Sequence, residues 1–220
     1  MEKTITPILA IETSDENCGV ALFFDEKRFV EINHKEKNVH SEVLLKLIET
    51  VLQSGKISAA ELSAIAISSG PGSFTGLRIG TAAAKGLALG VNLPIIPVPT
   101  FDALAFAISN YMNNHSHFHI VKKANVKEHY VAEFRKTEKE IKTVKNIELY
   151  SIDKIEKIFS KNENAIVFSD TFFEKALPLP DIRGYDIAKY AYLFGKDLLT
   201  FEYDFLEPNY FKNFIPKVKK

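Results

Sequence analysis

The stretch Ser68 to Gly90, SSGPGSFTGLRIGTAAAKGLALG, constrains the fold more than any other, because six of the ten glycines fall within it. The short apolar run Ala64–Ile67 leads in as a buried strand, a glycine-rich loop follows, and a helix built largely of small residues leads out. Gly70, Gly72 and Gly76 give the loop access to positive φ, with the helix expected to start at Thr75 or Gly76. Such a loop is a candidate anion site at a helix N-terminus. Its spacing, GxGxxxG, is one residue longer than the dinucleotide fingerprint, and no lysine followed by Ser or Thr stands where a P-loop needs one. The spacing therefore favours a tight strand-to-helix connection over phosphate binding by this loop alone.

At about 100° per residue, Arg78, Thr81 and Lys85 form one narrow polar stripe on the helix, and Gly76, Gly80, Ala83 and Ala84 gather on a roughly opposite face that presents little but backbone. A surface helix carries one apolar stripe and a broad polar side. This one is small or apolar nearly all round, so it is expected to be covered on two sides, by its own sheet and by something else. Complete burial within its own domain is the alternative. The run His40 to Gly55, HSEVLLKLIETVLQSG, is similar: Val43, Leu44, Leu45, Leu47, Ile48, Val51 and Leu52 cover an arc of roughly 200° against the usual stripe of about 100°. Gly55 is placed as its C-cap, and Ser58 with Glu61 forms a capping-box pattern for a short helix after it.

Ahead of these helices, Ile8 to Glu12 reads as a buried strand, Thr13 to Asn17 as a polar turn, and Gly19–Phe24 and Arg28–Asn33 as two further strands of a meander. At the first turn Glu12, Thr13 and Ser14 offer a carboxylate and two hydroxyls to a phosphate-bound metal; a hydrogen-bonded turn is the plainer reading. Pro94 to Val98 is a strand, and Thr100 is placed as the cap of a helix running to about Asn110. Strand, strand, strand, helix, strand, helix, strand, helix describes a mixed α/β lobe over 1–110.

From Asn113 the texture changes. Phe118–Val121, Glu128–Phe134, Ile141–Tyr150 and Ala165–Ser169 read as strands, Ile152–Phe159 as a short helix, and Tyr185–Leu199 as a last helix before an extended tail from Glu207. Only Gly184 and Gly195 occur after residue 110. His115, His117 and His119 alternate on a strand, where exposed edge histidines are favoured over a metal site. Lys212, Lys217, Lys219 and Lys220 make the terminus basic, and a solvated tail is favoured over contact with RNA phosphates.

With 220 residues, 46% of them hydrophobic, and 17 Phe, the chain can bury a large core. Its formal net charge is zero, split as −3 over 1–110 (9 basic, 12 acidic) and +3 over 111–220 (19 basic, 16 acidic), which gives no strong nucleic-acid footprint. Cys18 is the single cysteine, so no intramolecular disulfide or cysteine zinc cluster forms, and a reducing cytoplasm is expected. No apolar run approaches a membrane span, and MEKTITPILAIE lacks the pattern of an export signal.

The motifs ILAIETS, the His40-Ser41-Glu42 helix start, and above all GPGSFTGLRIG followed by AAAKGLA resemble the bacterial TsaB (YeaZ) family. The resemblance is strong over residues 8–110. Later, Lys123 to Tyr130 stands where the family has a DAR-x-GEVY segment, with Lys123 and Lys127 in place of Asp and Gly, and Pro208-Asn209-Tyr210 is similar to its P-x-Y-L-R. The resemblance implies a two-lobed actin-like ATPase and sugar-kinase (ribonuclease H-like) α/β fold, with a partner-binding lobe over 1–110 and a smaller, degenerate lobe with its tail over 111–220. It also implies a non-catalytic role in forming threonylcarbamoyladenosine at position 37 of tRNAs that read codons beginning with A. In that family the chain pairs with the catalytic paralogue TsaD and with the ATPase TsaE, and tRNA is met through the complex. The matching interface here comprises His40, Val43, Leu44, Leu47, Ile48 and Val51 on the first helix, and Gly76, Leu77, Gly80, Ala83, Ala84 and Leu87 on the second. Glu12, Thr13, Ser14, Gly70, Gly72 and Ser73 are the candidate nucleotide or phosphate residues; the chain alone is expected to require no cofactor, and ATP or ADP is expected, if anywhere, at the partner interface.

Two rival functions belong to other classes. An active ATP-dependent enzyme of the same superfamily needs phosphate loops from both lobes, and two isolated glycines after residue 110 leave that clamp half built. A stand-alone homodimer would use the same surface as a heterodimer, since a self-complementary face has the same composition. TsaD itself carries metal histidines at i and i+4 after the first lobe's core, a pair expected to be missing here, and no HExxH or Ser-His-Asp spacing supports a protease.

Overall fold

The structure is a computed structural model that describes residues 5–160 and 165–209. The first half forms β1 (Ile8–Glu12), β2 (Asn17–Phe23), β3 (Phe29–Lys35), α1 (His40–Gly55), β4 (Ala64–Ser68), α2 (Phe74–Val91), β5 (Ile95–Val98) and α3 (Thr100–Ser109). The second forms β6 (His117–Lys123), β7 (Glu128–Lys136), β8 (Ile141–Ser151), α4 (Ile152–Ser160), β9 (Ile166–Ser169), β10 (Leu177–Pro178) and α5 (Gly184–Phe194). The element order of the first half is the one its periodicities predict. The last helix is shorter than expected, since α5 ends at Phe194 and a 3-10 turn covers Gly195–Leu198. The basic tail, from Tyr210 onward, lies outside the described residues.

Two sheets carry the fold. The first has the order β3-β2-β1-β4-β5, with β1 antiparallel to β2 and parallel to β4. The second runs β10-β9-β6-β7-β8, with β6 antiparallel to β7 and parallel to β9. Read from β6, this is the same order repeated, and α4 stands between β8 and β9 as α1 stands between β3 and β4. This is the α/β two-lobed architecture. One counterpart is missing among the described residues: β4 is followed by a glycine loop and the 18-residue α2, whereas β9 reaches β10 through a turn with no helix.

Alternation along β1 separates two cores. Leu9 and Ile11 face outward and pack with Leu44, Ile48, Val51, Ala84 and Ala88 under α1 and α2. Ile8 and Ala10 face inward to a cluster shared with α3, α5 and the second sheet. There the helices cross over: α5, from the second half, packs on β1 and β2, and α3 packs on α5 and on β7 and β8. The expected division at residue 110 therefore separates the two sheets but not the two cores. Four aromatic rings and the alanines of α3 and α5 close the space between the sheets without a linker, Phe101, Phe118, Phe134 and Phe23 all being buried.

Candidate functional site

The β1–β2 turn and the β4–α2 loop meet next to β6 of the second sheet. The loop is held by its neighbours: Ser73 N–H donates to the Ser14 carbonyl at 2.7 Å, Gly70 N–H to Thr100 Oγ1 at 3.0 Å, and Gly76 N–H to Ser73 Oγ at 3.2 Å. α2 thus starts at Phe74, ahead of Thr75 or Gly76, with Ser73 as its N-cap, and Thr100 Oγ1 ties α3 to the glycine loop while Pro99 takes the cap position of α3. Likewise the C-cap of α1 is Lys56 in the left-handed region at φ 57°, one residue after Gly55. Of the loop glycines only Gly70 uses positive φ, at 104°. Gly72 and Gly76 serve close approach instead: a Cβ on either would overlap the carbonyl oxygen of Ser14 or Thr13.

Glu12, Thr13 and Ser14 are completely buried or nearly so. Ser14 N–H donates to Glu12 Oε1 at 2.5 Å, and Thr13 N–H donates to Ser68 Oγ at 3.3 Å. Burial pushes the Glu12 carboxyl up to about 7, with the Ser14 N–H bond and the Lys122 charge pulling the other way. Burial and the nearby Glu12 charge push the Cys18 thiol up to about 11, so it is an inert thiol. Glu12 Oε2, Ser14 Oγ and Ser69 Oγ are buried with no hydrogen-bond partner among the described residues.

The second lobe enters this site through Lys122 of β6. Its ammonium is buried, with 5% of the side chain exposed, and pairs with Asp15 of the turn, 36% exposed. Burial opposes ionisation of Asp15, but the charge and hydrogen bond of Lys122 outweigh it and hold the carboxyl below its ordinary value. From the other side Asn209 N–H donates to the Ser69 carbonyl at 2.7 Å, so the C-terminal segment crosses the loop. The six candidate phosphate residues are therefore brought together, but Gly70, Ser73 and Gly76 spend their amides on protein acceptors and Lys122 is paired with Asp15.

The expected partner residues divide by burial. Leu44, Ile48 and Val51 of α1, and Leu77 and Ala84 of α2, face the first lobe's own core, and His40 is buried with Nε2 unpartnered among the described residues. Gly76 and Gly80 press on Thr13, where a Cβ on Gly80 would overlap Thr13 Oγ1. The face opposite the polar stripe is thus an internal contact, because only bare backbone lets α2 lie against the β1–β2 turn. Val43, Leu47, Ala83 and Leu87 stay half-buried at its margin. The outward face is different: Leu45 is 64% exposed, Leu89 is 72% exposed, Ala82, Gly86 and Gly90 are exposed, and a Cβ on either glycine would meet nothing within 4 Å. Ala82, Leu89 and Gly90 went unnoticed in sequence, although with Gly86 they stand at i, i+4, i+7 and i+8 and so mark a single stripe. Thr81 and Lys85 line a cavity of about 230 Å³ under Leu206–Pro208 rather than open solvent.

The histidines do not assemble a metal site. His115 and His119 do stand at i and i+4, the spacing expected to be missing, but His115 precedes β6 at φ 66° and approaches Glu138 at 3.9 Å, while His119 and His117 approach Glu133 of β7 at 3.7 and 3.2 Å. No group of three metal-ligating side chains occurs among the described residues. No described helix is long and apolar enough to cross a membrane.

Comparison with known proteins gives one family-model match, to "TsaD: tRNA N6-adenosine threonylcarbamoyltransferase", over residues 33–194. A curated protein from Haemophilus influenzae named tRNA threonylcarbamoyladenosine biosynthesis protein TsaB is 38% identical over 100 residues, covering 46% of this chain and 42% of that protein. Its namesake in Escherichia coli is 41% identical over 100 residues, covering 44% and 42%. The matched region thus spans less than half the length of these relatives. A solved structure, "YeaZ from Pseudomonas aeruginosa", superposes with a TM-score of 0.73 at 21% identity over 92% of this chain and 98% of that one, which is a likeness of fold.

Proposed function

The chain belongs to the family described as TsaD, tRNA N6-adenosine threonylcarbamoyltransferase, and from that premise we propose that it is a non-catalytic, TsaB-type subunit of a tRNA-modifying assembly in the cytoplasm. Its partner is the catalytic paralogue TsaD, with the ATPase TsaE joining the pair, and the product is threonylcarbamoyladenosine at position 37 of tRNAs that read codons beginning with A. The observation that carries the reading is the exposure of apolar and small residues on both helices, Leu45 on α1 and Ala82, Gly86 and Leu89 on α2. Exposed apolar patches mark association surfaces, and small residues let a partner helix approach closely; that rule is best documented in membranes and is used here as an analogy. The non-catalytic part is supported by the cleft. Lys122 is buried there against Asp15, and among the described residues the second lobe has no loop and helix matching β4–α2 to complete a nucleotide clamp. An adenine nucleotide at the partner interface belongs to the same proposal.

Co-purification of the tagged chain with TsaD from the same host, with and without ATP, tests the pairing. The expected result is a stable heterodimer, and tRNA modification in a reconstituted system that stops when this chain is omitted. Recovery of the chain only as a homodimer, or full modification without it, overturns the proposal.

A further inference from the structure

A cavity of about 360 Å³ opens between α3, α5 and the β7–β8 hairpin, remote in sequence from the glycine loop. That volume lies within the range of roughly 300 to 1,000 Å³ for small-molecule sites. Three rings form one wall: Phe106 of α3, and Tyr190 and Phe194 of α5. Phe106 meets Tyr190 with centroids 6.4 Å apart at 81° and Phe194 at 5.5 Å and 79°, while Tyr190 and Phe194 lie 4.9 Å apart at 51°. Rings packed edge to face in this way make an aromatic corner in the cavity wall, and a cation that reaches the face of one of them is attracted by its quadrupole. The Lys189 ammonium, 5.8 Å from the Phe106 centroid, already uses part of that field.

Asp102 lines the same cavity one helical turn before Phe106. It has no hydrogen-bond or ion-pair partner among the described residues, and burial alone holds its carboxyl above the ordinary value. Its place in the first turn of α3 suits the helix dipole, but the dipole would serve an exposed carboxylate equally and does not account for its burial. The facing hairpin brings Lys136, Glu138, Lys139 and Glu140. Lys136 is committed, since Nζ donates to the carbonyls of Ser109 and Met112 at 2.8 Å each, and Glu140 pairs with Lys142 at 3.1 Å. A half-buried carboxylate thus stands beside an aromatic corner with no ion pair of its own among the described residues, Lys139 being the nearest free cation of the lining.

We propose that this cavity binds an alkylammonium ion, with Asp102 as its counter-charge and Phe106, Tyr190 and Phe194 as its aromatic wall. The ion is supplied either by a free amine or by a lysine side chain of another protein; the recognition chemistry is the same. Neither the partner surface nor the tRNA role enters the argument.

Amide chemical-shift titration of the full chain with n-butylammonium chloride, against n-butanol as the neutral analogue at equal ionic strength, tests it. The expected shifts map to residues 102–106 and 190–194 and saturate, with butanol weaker by about tenfold or more. Asp102→Asn should remove the preference for the cation at an unchanged melting temperature, and Phe106→Leu should weaken the ammonium while leaving the Asp102 amide in place. Putrescine and Nα-acetyl-lysine methylamide, compared on the same protein, distinguish a free amine from a lysine side chain as the source. Equal binding of butanol, shifts mapping elsewhere, or an Asp102→Asn variant that binds the ammonium as before overturns the proposal.

Discussion

A methyl group added at Gly76 would overlap the Thr13 carbonyl oxygen, which as backbone cannot rotate away. Gly76→Ala should therefore lower stability by about 1 to 3 kcal/mol, the usual range for overpacking, read as a lower melting temperature by circular dichroism. A native melt would show that α2 does not rest on the turn. Glu12 gives the second residue-scale test. Its carboxyl lies near 4.5 in the unfolded chain and about 7 in the folded one, so between those values the native state keeps a proton that the unfolded state has released. Stability must then fall as pH rises from 4.5 to about 7 and level off above. The difference corresponds to roughly 3 kcal/mol. Glu12→Gln, which still accepts from Ser14 N–H, should flatten that slope and raise stability at pH 8; denaturant titrations across the range read it, and an unchanged slope would mean Glu12 is ionised throughout. Neither property was legible in sequence. A Glu at the end of an apolar strand and a Gly in a loop announce themselves, but the atom each one faces is set by chain segments brought together only on folding.

At the scale of elements, periodicity located α1 and α2 and raised the expectation that both are covered on more than one side. It did not say which side is which. The small face of α2 was expected to meet a partner, yet it meets the β1–β2 turn, and Thr81 and Lys85 of the polar stripe lie beside the segment Leu206–Pro208. Small residues permit a close approach without naming the neighbour that makes it. The outward glycines behave differently from Gly76: Gly86 is exposed and a Cβ there meets nothing. In the isolated chain Gly86→Ala should stabilise by about 0.5 to 1 kcal/mol through helix propensity alone. A loss of melting temperature would show that Gly86 already packs against something in the monomer.

The whole molecule is two copies of one strand order, joined by exchanged helices. Its sheets were legible as alternating runs, and the β6, β7 and β8 meander fell close to its expected bounds. The exchange was not, because α5 carries an apolar stripe that suits either sheet. The lobes are also pinned by Asp15 and Lys122, and the pin is asymmetric because the lysine is far more buried than the aspartate. Asp15→Asn strands a buried ammonium and should cost about 3 to 5 kcal/mol; Lys122→Met leaves a carboxylate that water reaches and should cost less. Equal losses in thermal melts would mean that the pair does not close the cleft.

The account as a whole rests on the outward face of α1 and α2 being the partner surface while the inward face holds the lobe together. The Leu45→Glu, Leu89→Glu double variant tests this most directly, since both side chains are exposed and their replacement leaves the core untouched. Sedimentation of that variant with the host's TsaD, beside a thermal melt of the variant alone, should show a native melt and affinity lower by about two orders of magnitude, as expected for losing two apolar anchors. A native melt with undiminished association would contradict the assignment.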